Sequence, residues 1–516
     1  MSSQLPSSFK SSRPSQQRLL KLLLKGGTVI LHAPDDHIQI LKTDILIEGN
    51  RISQIGEAIS RDSCTNTIDC TSKIISPGFI DTHHHLWQTQ LKGRHTNHLL
   101  LNYIASGNLQ SSNYNQGDIY WGQLGGCLES INAGTTTVFD HSHINCFPEA
   151  APTAISATVS SGIRCIYGYY PTPRVTSWSP FTLAPDVLAI WVIDGLESLA
   201  TKAPFSDGRV TLRFAFDQWF LPSEITQDTF RRAKAAGVKL ATTHAIRNAQ
   251  ISMADPIEHI EALGLLDSDI VLSHANSIPA KSIKAIADAG AHISSTPSAE
   301  IQMAAGYPAY LDDNLPGAQK QSSLGINCHS NQAASIIYKI RLALQALRAK
   351  GHEKYINQGK ALRHALKTVE EAYNLGTIQG ARALGIEDQI GSIAEGKLAD
   401  LVIFDGNSPE LLCATEQDPV AAIVQHSSIG SVEMVIVDGI IRKREGKLQE
   451  ALVEPAFQDI AGDGPLQWSQ IAAEIRQSRE RLRRREPKEQ NHNEVKKGLI
   501  QSFYIDKSKL VGELRK

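Results

Sequence analysis

Eight short apolar runs recur through the middle of the chain, and polar residues collect where they end. They cover residues 73–80, 135–140, 163–169, 210–216, 238–244, 270–274, 291–295 and 323–327. Helix-like segments such as 230–236 and 280–289 lie between them. Eight repeats of strand followed by helix are typical of a (β/α)8 barrel, whose functional side chains stand at the strand ends. The sequence therefore predicts an α/β fold with a TIM-like (β/α)8 barrel over residues 73–388.

Both ends of the chain contain further strand-like segments. Near the start these are residues 27–32 and 44–56, with a Gly-Asn turn at 49–50, and similar segments return at 398–405 and 432–439. Gly-Asn between apolar runs is a hairpin signal. The pattern predicts a small composite β-sandwich domain from both chain ends, residues 25–72 and 389–450. Residues 1–24 are predicted to form a disordered tail, and residues 451–516 a charged helical C-terminal extension.

The composition argues against several classes of partner. With 41% hydrophobic residues, 20% charged residues and a net charge of -2, the 516-residue chain has no electrostatic attraction for nucleic acid. The apolar stretch at 19–24 is interrupted by Lys21, so it predicts neither a signal peptide nor a membrane span. Seven scattered cysteines fit a reducing compartment. We expect a cytoplasmic protein with a small-molecule substrate and no nucleic-acid or membrane partner, and a homo-oligomer stays open.

Histidines stand at the ends of three predicted strands: His83 and His85 at the first, His244 at the fifth and His274 at the sixth. On extended backbone His83 and His85 point the same way, so both can face one metal ion while His84 points away. Barrel closure would bring these positions to one mouth. Neutral imidazoles with an open coordination position suit Zn²⁺, with Fe²⁺ as the alternative, and such an ion lowers the pKa of water towards ~7. Hydrogen-bonded rim histidines are the alternative interpretation.

Several motifs resemble the amidohydrolase superfamily, and within it the cytosine deaminase and chlorohydrolase-like branch. They are PGFIDTHHHL at 77–86, INAGTTTVFDH at 131–141, TTHA at 242–245, the strand ending at 274, SLGIN at 323–327 and IGSIAEGKLADLVIFD at 390–405. The resemblance implies a metal-dependent barrel that hydrolyses C–N or C–halogen bonds at an sp² carbon. It also implies that His83, His85 and His244 bind the metal and that His274 orients or protonates the substrate.

Two positions depart from the pattern of that branch. Asn327 stands where the family has a metal-binding Asp that accepts a proton, and Arg247 stands where many of its deaminases have a Glu. An amide is a neutral, weak ligand and cannot act as a base, and Arg cannot exchange a proton near neutral pH. Ring deamination of the cytosine or guanine type is therefore not expected. We assign His274 and Asn327 as the catalytic positions.

Other polar residues near the strand ends are candidates for substrate binding. Asp140 and His143, in a cluster with His141, follow the second strand, Glu300 follows the seventh, and His329 lies two residues beyond Asn327. Arg247 would favour an anionic substrate through charge-assisted hydrogen bonds. For each of them a rim hydrogen bond or a helix cap is the alternative.

Together these observations predict a hydrolase that acts on a non-peptide C–N bond of a small organic molecule. The expected chemistry is attack of an activated water on an amide, amidine or imine carbon, with His274 stabilising the developing oxyanion. Because Asn327 replaces the family Asp, two alternatives stay open. One is a catalytically impaired scaffold that binds a ligand, and the other is a metal-assisted lyase or isomerase.

Overall fold

The computed structural model describes residues 21–512, apart from 61, 63–64, 312–316, 487–489 and 503–504. Residues 1–20 of the predicted tail lie outside the described residues. Residues 21–24 were predicted to belong to that tail, but the first strand begins at Lys21. Leu22, Leu23 and Leu24 are buried, which explains why they join the sheet.

Eight parallel strands form a barrel, and each contains or overlaps one of the predicted runs. Barrel strands 1 to 8 are Phe79–His84, Thr135–Ser142, Arg164–Tyr169, Val210–Ala215, Leu240–His244, Val271–Ser273, His292–Ser295 and Ser322–Leu324. A parallel bridge between His84 and Asn327 joins the end of strand 8 to strand 1. The predicted (β/α)8 barrel is confirmed.

Helices cover the outside of the barrel and the loops at its mouth. The longer ones are Leu100–Ser106, Gln116–Asn132, Ala150–Ser161, Ile190–Ala200, Ser223–Ala235, Pro256–Ala262, Ala280–Asp288, Pro297–Gln302, Ile336–Ile356, Val369–Leu375, Ile378–Ala383, Trp468–Arg485 and Gln490–Ser502. Helix Gln116–Asn132 begins with a capping box between Asn115 and Asp118, which satisfies free N–H groups of its first turn. Within the described part of the chain, we find no helix with the length and apolar character to cross a membrane.

The two chain ends form one mixed sheet beside the barrel. In spatial order its strands are Lys447–Leu448, Ile440–Arg444, Val432–Val437, Leu401–Asp405, Lys73–Pro77, Lys21–His32, Ile38–Glu48 and Arg51–Gly56, and Thr65–Asp69 also pairs with Lys21–His32. Glu48 pairs with Arg51 across the predicted Gly-Asn turn, where Gly49 has a φ of 64°. The sheet has its own hydrophobic core, which includes Ile45, Leu401 and Ile436. The composite β-domain is thus present as one continuous hydrogen-bonded sheet.

The chain passes from this sheet into the barrel at Gly78. We predicted one strand over residues 73–80, but the structure divides it into Lys73–Pro77 in the sheet and Phe79–His84 in the barrel. Gly78 donates its N–H to the carbonyl oxygen of Asp400, and a Cβ at Gly78 would lie 2.0 Å from Thr136 Oγ1. Only a residue without a side chain fits this close approach, and the absence of a Cβ lets the backbone change sheets here.

The C-terminal extension packs against the segment that leads out of barrel strand 1. Ser478, on helix Trp468–Arg485, donates to Asp118 Oδ1 at 2.6 Å. Gln90, in the 3-10 helix Leu86–Leu91, donates to Ser478 Oγ at 3.0 Å. Asp118 is fully buried and also binds Arg485. The extension is therefore part of the packed structure around the first strand.

We predict that Gly78→Ala lowers the free energy of unfolding by ~1–3 kcal/mol, because the added methyl group overpacks against Thr136. Gly56→Ala is the matched control, since nothing lies within 4 Å of a Cβ at that strand glycine. Its effect should stay within about 0.5 kcal/mol. Denaturant unfolding followed by circular dichroism measures both. Equal stability of the two variants would contradict the close approach at Gly78.

Candidate metal centre

The two predicted histidines of barrel strand 1 are buried at the barrel mouth, with ring centres 4.9 Å apart. His83 Nδ1 is hydrogen-bonded to Ser273 Oγ at 2.8 Å, and His85 Nδ1 donates to the carbonyl oxygen of His141 at 2.8 Å. Because a carbonyl oxygen only accepts, the proton of His85 is on Nδ1 and its Nε2 keeps a lone pair. His83 Nε2 is buried and has no hydrogen-bond partner among the residues that the structure describes. Anchoring through Nδ1 with Nε2 left available is the usual arrangement of a metal-binding histidine.

His244 ends barrel strand 5, and Asp217, just after strand 4, fixes its ring. His244 donates from Nδ1 to Asp217 Oδ2 and from its backbone N–H to Oδ1, both at 2.7 Å. Burial would raise the pKa of Asp217, but the rings of His244 and His141 hold it well below its usual range. Asp217 is therefore a carboxylate that orients His244, and Nε2 of His244 faces away from it.

His83, His141 and His244 form a cluster that can hold a metal ion. One ligand atom from each residue lies within 4.8 Å of the others. Burial, with the neighbouring histidines, lowers the pKa of His141 to about 4 and the pKa values of His83 and His85 well below the usual value. Neutral imidazole is the form that binds metal ions. The buried His83 Nε2, which no described residue contacts by a hydrogen bond, is also available to a metal ion. The residues present therefore fit a divalent metal ion.

His274 follows barrel strand 6 and lies beside this cluster. Its ring centre is 5.2 Å from that of His83 and 5.5 Å from that of His244. Its Nδ1 lies 3.0 Å from Thr296 Oγ1 and 3.3 Å from Glu300 Oε1. Burial lowers the pKa of His274, and the adjacent Glu300 opposes that shift. We predicted that Glu300 binds substrate. In the structure its Oε1 accepts from the Thr296 N–H and faces His274 Nδ1, so Glu300 supports the Nδ1 side of the His274 ring.

His143, after barrel strand 2, stacks on His85 with ring centres 3.8 Å apart. Trp87 Nε1 donates to His143 Nδ1 at 3.0 Å. Burial lowers the pKa of His143 well below its usual value, so the neutral ring must carry its proton on Nε2. That nitrogen is buried, and no described residue accepts from it. His143 can therefore donate a hydrogen bond from Nε2 but has no lone pair there for a metal.

His329 belongs to a different buried network, behind the cluster. Thr89 donates to the carbonyl oxygen of Gly122, so it accepts from His329 Nε2 at 3.0 Å. Burial lowers the pKa of His329 well below its usual value, and its Nδ1 accepts from His84 Nε2 at 2.9 Å. The structure thus differs from the prediction that His329 faces the substrate. The reason is that Asn327 has a φ of 67°, which turns the chain away from the extended path that the prediction assumed.

Asp140 also points away from the mouth. Its Oδ2 accepts from Gln123 Nε2 at 2.7 Å and its Oδ1 from the backbone N–H of Leu86 at 3.2 Å. Burial raises its pKa to about 6. Neighbours on a strand face opposite sides, so when His141 points into the barrel Asp140 points towards the helices. The structure therefore does not place Asp140 at the site where we predicted substrate binding.

Arg247 ties together the loops that follow barrel strands 5 and 6. Its Nε donates to the carbonyl oxygen of Met253 at 2.9 Å and its Nη1 to that of Ser277 at 3.2 Å. Two guanidinium nitrogens thus support loop structure. Nη2 is the guanidinium nitrogen of Arg247 that would bind a substrate.

Backbone hydrogen bonds place Asn327 next to His83 and His85. Its N–H donates to the carbonyl oxygen of His83, and its own carbonyl oxygen accepts from the N–H of His85, both at 2.8 Å. The residue is 5% exposed. Asn327 therefore lies at the junction of the last and first barrel strands, beside His83 and His85.

Sequence reasoning missed two residues of this centre. His141 was considered only as part of a cluster, and Asp217 was not considered at all. Both stand at strand ends, His141 within Thr135–Ser142 and Asp217 two residues after Val210–Ala215. Location at a strand end is the signal that could have identified both residues, since it also identified His83 and His244.

Comparisons with known proteins agree with this architecture. A family model described as "Amidohydrolase family" matches residues 74–442. The chain is 28% identical over 430 residues to a 5-methylthioadenosine/S-adenosylhomocysteine deaminase of Thermococcus sibiricus, covering 81% of this chain and 93% of that protein. It is 26% identical over 447 residues to a 5'-deoxyadenosine deaminase of Methanobrevibacter smithii, covering 83% and 93%.

Solved structures of lower identity share the fold. An adenosine deaminase from Xanthomonas campestris with bound zinc has a TM-score of 0.74 at 18% identity, covering 90% of this chain and 98% of that one. Atrazine chlorohydrolase from Arthrobacter aurescens, complexed with zinc, has a TM-score of 0.71 at 21% identity, covering 88% and 100%.

The chain therefore belongs to the amidohydrolase family, because the family model matches residues 74–442, which is well over half of the chain. It lies in the metal-dependent branch of that family and is a hydrolase that acts on carbon–nitrogen bonds, other than peptide bonds, of small organic molecules.

We predict that replacing His83, His85 or His244 with Ala depletes bound metal, because each change removes an Nε2 ligand. His84→Ala should keep the metal, even if stability falls, since His84 bonds to Asp81 and His329 instead. Elemental analysis of the purified proteins by mass spectrometry provides the measurement. Equal metal in all four variants would contradict the assignment of these histidines.

Proposed function

We propose that the protein is a hydrolase that uses one Zn²⁺ ion, held by His83, His85 and His244, to cleave a C–N bond at an sp² carbon. The observation that carries this proposal is the set of imidazoles at the barrel mouth, in which the Nδ1 atoms of His83, His85 and His244 are anchored by hydrogen bonds. When bound, the ion would supply Lewis acidity and lower the pKa of a water molecule. Fe²⁺ is the alternative ion for the same ligands.

The protein groups around that ion have separate tasks. Asp217 keeps the proton of His244 on Nδ1, so the ring offers its other nitrogen to the metal. His143 donates from Nε2 to an acceptor atom of the substrate and orients it. His274 holds or transfers a proton at Nε2, where negative charge develops on the substrate during attack.

Glu300 makes a proton-transfer role for His274 favourable. Its carboxylate lies 3.3 Å from Nδ1 of that ring, so it stabilises the positive charge that the ring acquires when Nε2 is protonated. Glu300 is 1% exposed and accepts from the backbone N–H of Thr296 at 2.7 Å, which fixes its position. The pair can therefore supply the proton transfers that neither Asn327 nor Arg247 can perform.

The substrate that we propose is a small amide, lactam, amidine or imine. The curated relatives are named as deaminases of adenosine-type nucleosides, which supports cleavage at a planar C–N carbon. Asn327 and Arg247 replace the acidic residues of the deaminase pattern, and this favours amide-like carbons over aromatic ring deamination. Nη2 of Arg247 would bind an anionic group of such a substrate. A cytoplasmic location, a homo-oligomer and the lack of a nucleic-acid partner stay predictions.

We predict that His274→Gln lowers kcat by ~10²–10⁴-fold on any amide, lactam or aminoheterocycle that the wild type hydrolyses, because general acid–base catalysis is lost. Metal content should be unchanged. His143→Gln is the comparison, and it should raise KM more than it lowers kcat. Steady-state kinetics with metal analysis checks both. Wild-type kcat in metal-loaded His274→Gln would remove His274 from the mechanism.

We also predict that Asn327→Asp tightens metal binding and raises the hydrolytic rate, by up to the ~10²–10⁴-fold that a general base contributes. Asp tolerates a positive φ as Asn does, so the backbone at position 327 need not change. Rates of both forms on the same substrate panel, at equal metal loading, provide the measurement. An unchanged or slower rate would mean that the His274 and Glu300 pair already performs this task.

A further inference from the structure

We propose that His141 is a metal ligand of this centre and takes the coordination place that an Asp at position 327 has in the amidohydrolase pattern. This inference rests on the metal-dependent function proposed above. It gives the ion four neutral imidazole ligands, from barrel strands 1, 2 and 5, in place of a set that includes a carboxylate. The inference concerns which atoms of this chain complete the metal site.

The position of the His141 ring provides the first argument. Its centre lies 4.3 Å from that of His244 and 5.6 Å from that of His83. One of its nitrogens belongs to the group of ligand atoms that lie within 4.8 Å of one another. The ring therefore belongs to the same cluster of possible ligands as His83 and His244, whose metal role the sequence already predicts.

The unsatisfied nitrogens of His141 provide the second argument. The ring is fully buried, and neither nitrogen has a hydrogen-bond partner among the described residues. Nε2 lies 3.3 Å from Asp217 Oδ2 but lacks hydrogen-bond geometry. Leaving a buried polar atom without a partner costs about 1–3 kcal/mol, so such atoms need an explanation. A metal ion would satisfy the ring directly.

The neighbouring candidates are less suitable. The lone pair of His143 Nδ1 is taken by the Trp87 N–H, and its Nε2 carries the proton. Asn327 offers only a neutral amide oxygen, which is a weak ligand for Zn²⁺. Among these three positions next to His83 and His85, His141 is the one with a nitrogen lone pair that no described residue engages.

A metal site with four imidazole ligands would still have a negative charge close by, on Asp217. Its Oδ2 accepts from His244 Nδ1 at 2.7 Å and lies 3.3 Å from His141 Nε2. The carboxylate thus lies beside two of the four imidazoles, where it would offset part of the charge of the ion, and its hydrogen bond orients the His244 ring. The negative charge that an Asp at position 327 would provide is thus supplied from behind the ligands by Asp217, just after barrel strand 4.

The experiment uses Co²⁺, which occupies zinc sites and absorbs visible light in a way that depends on its ligands. The full-length protein is freed of metal with a chelator and titrated with Co²⁺, alongside His141→Ala and the matched control His143→Ala. We expect His141→Ala to weaken binding by more than about 100-fold and to change the visible spectrum. Loss of a residue that merely supports a ligand costs about 10–100-fold. His143→Ala should keep the wild-type spectrum.

A second variant separates a ligand from a packing residue. His141→Cys should recover part of the affinity and add a thiolate-to-cobalt charge-transfer band in the near ultraviolet, and His143→Cys should show no such band. An unchanged affinity and spectrum in His141→Ala would overturn the inference. So would an affinity loss in His141→Ala without a charge-transfer band in cobalt-loaded His141→Cys. If the wild type itself binds no Co²⁺ or Zn²⁺, the proposed metal-dependent function fails instead.

Discussion

The buried carboxylate of Asp81 joins the first and last strands of the barrel, and the metal centre depends on that junction. Its Oδ1 accepts the backbone N–H groups of His83 at 3.2 Å and Ile326 at 3.0 Å, and its Oδ2 lies 2.8 Å from His84 Nδ1. His84 also bonds through Nε2 to His329, so hydrogen bonds hold both nitrogens of its ring. A buried carboxylate needs such partners. The positions of the strand 1 histidines and of residue 327 are therefore set by one group behind them.

The sequence was sufficient for the parts of the molecule that follow local patterns. All eight barrel strands could be predicted because each is an apolar run, and the histidines at 83, 85, 244 and 274 could be selected because they stand at strand ends. The direction in which side chains point at those strand ends was harder to predict from the sequence. Asp140 and His329 were placed wrongly because one faces the helices and the other follows a residue with a positive φ. Asp217 depends on the pairing of strands 4 and 5, which brings it to His244 and which no local pattern reveals.

The carboxylates of the centre lie behind the imidazole rings and not among them. The groups nearest to the proposed ion position are imidazoles, and burial lowers the pKa values of His83 and His141, while the carboxylates of Asp217 and Glu300 stand behind the rings. In a medium of low dielectric constant each carboxylate acts strongly on the rings that it contacts. Asp217 acts on the ring that would bind metal, and Glu300 on the ring that would transfer protons. Two acidic residues can thus influence binding and chemistry separately, although neither occupies the acidic positions of the family pattern.

The contact between the C-terminal extension and strand 1 has a consequence for how the protein is made. Gln90, just beyond the metal-binding histidines, bonds to Ser478, which lies 388 positions later in the chain. Contacts of such sequence separation form slowly and require the intervening chain to be organised first. On the ribosome, residues 86–91 remain without this partner until the helix Trp468–Arg485 has been synthesised. The contacts that hold residues 86–91, just beyond His83 and His85, are therefore completed only after most of the chain has been made.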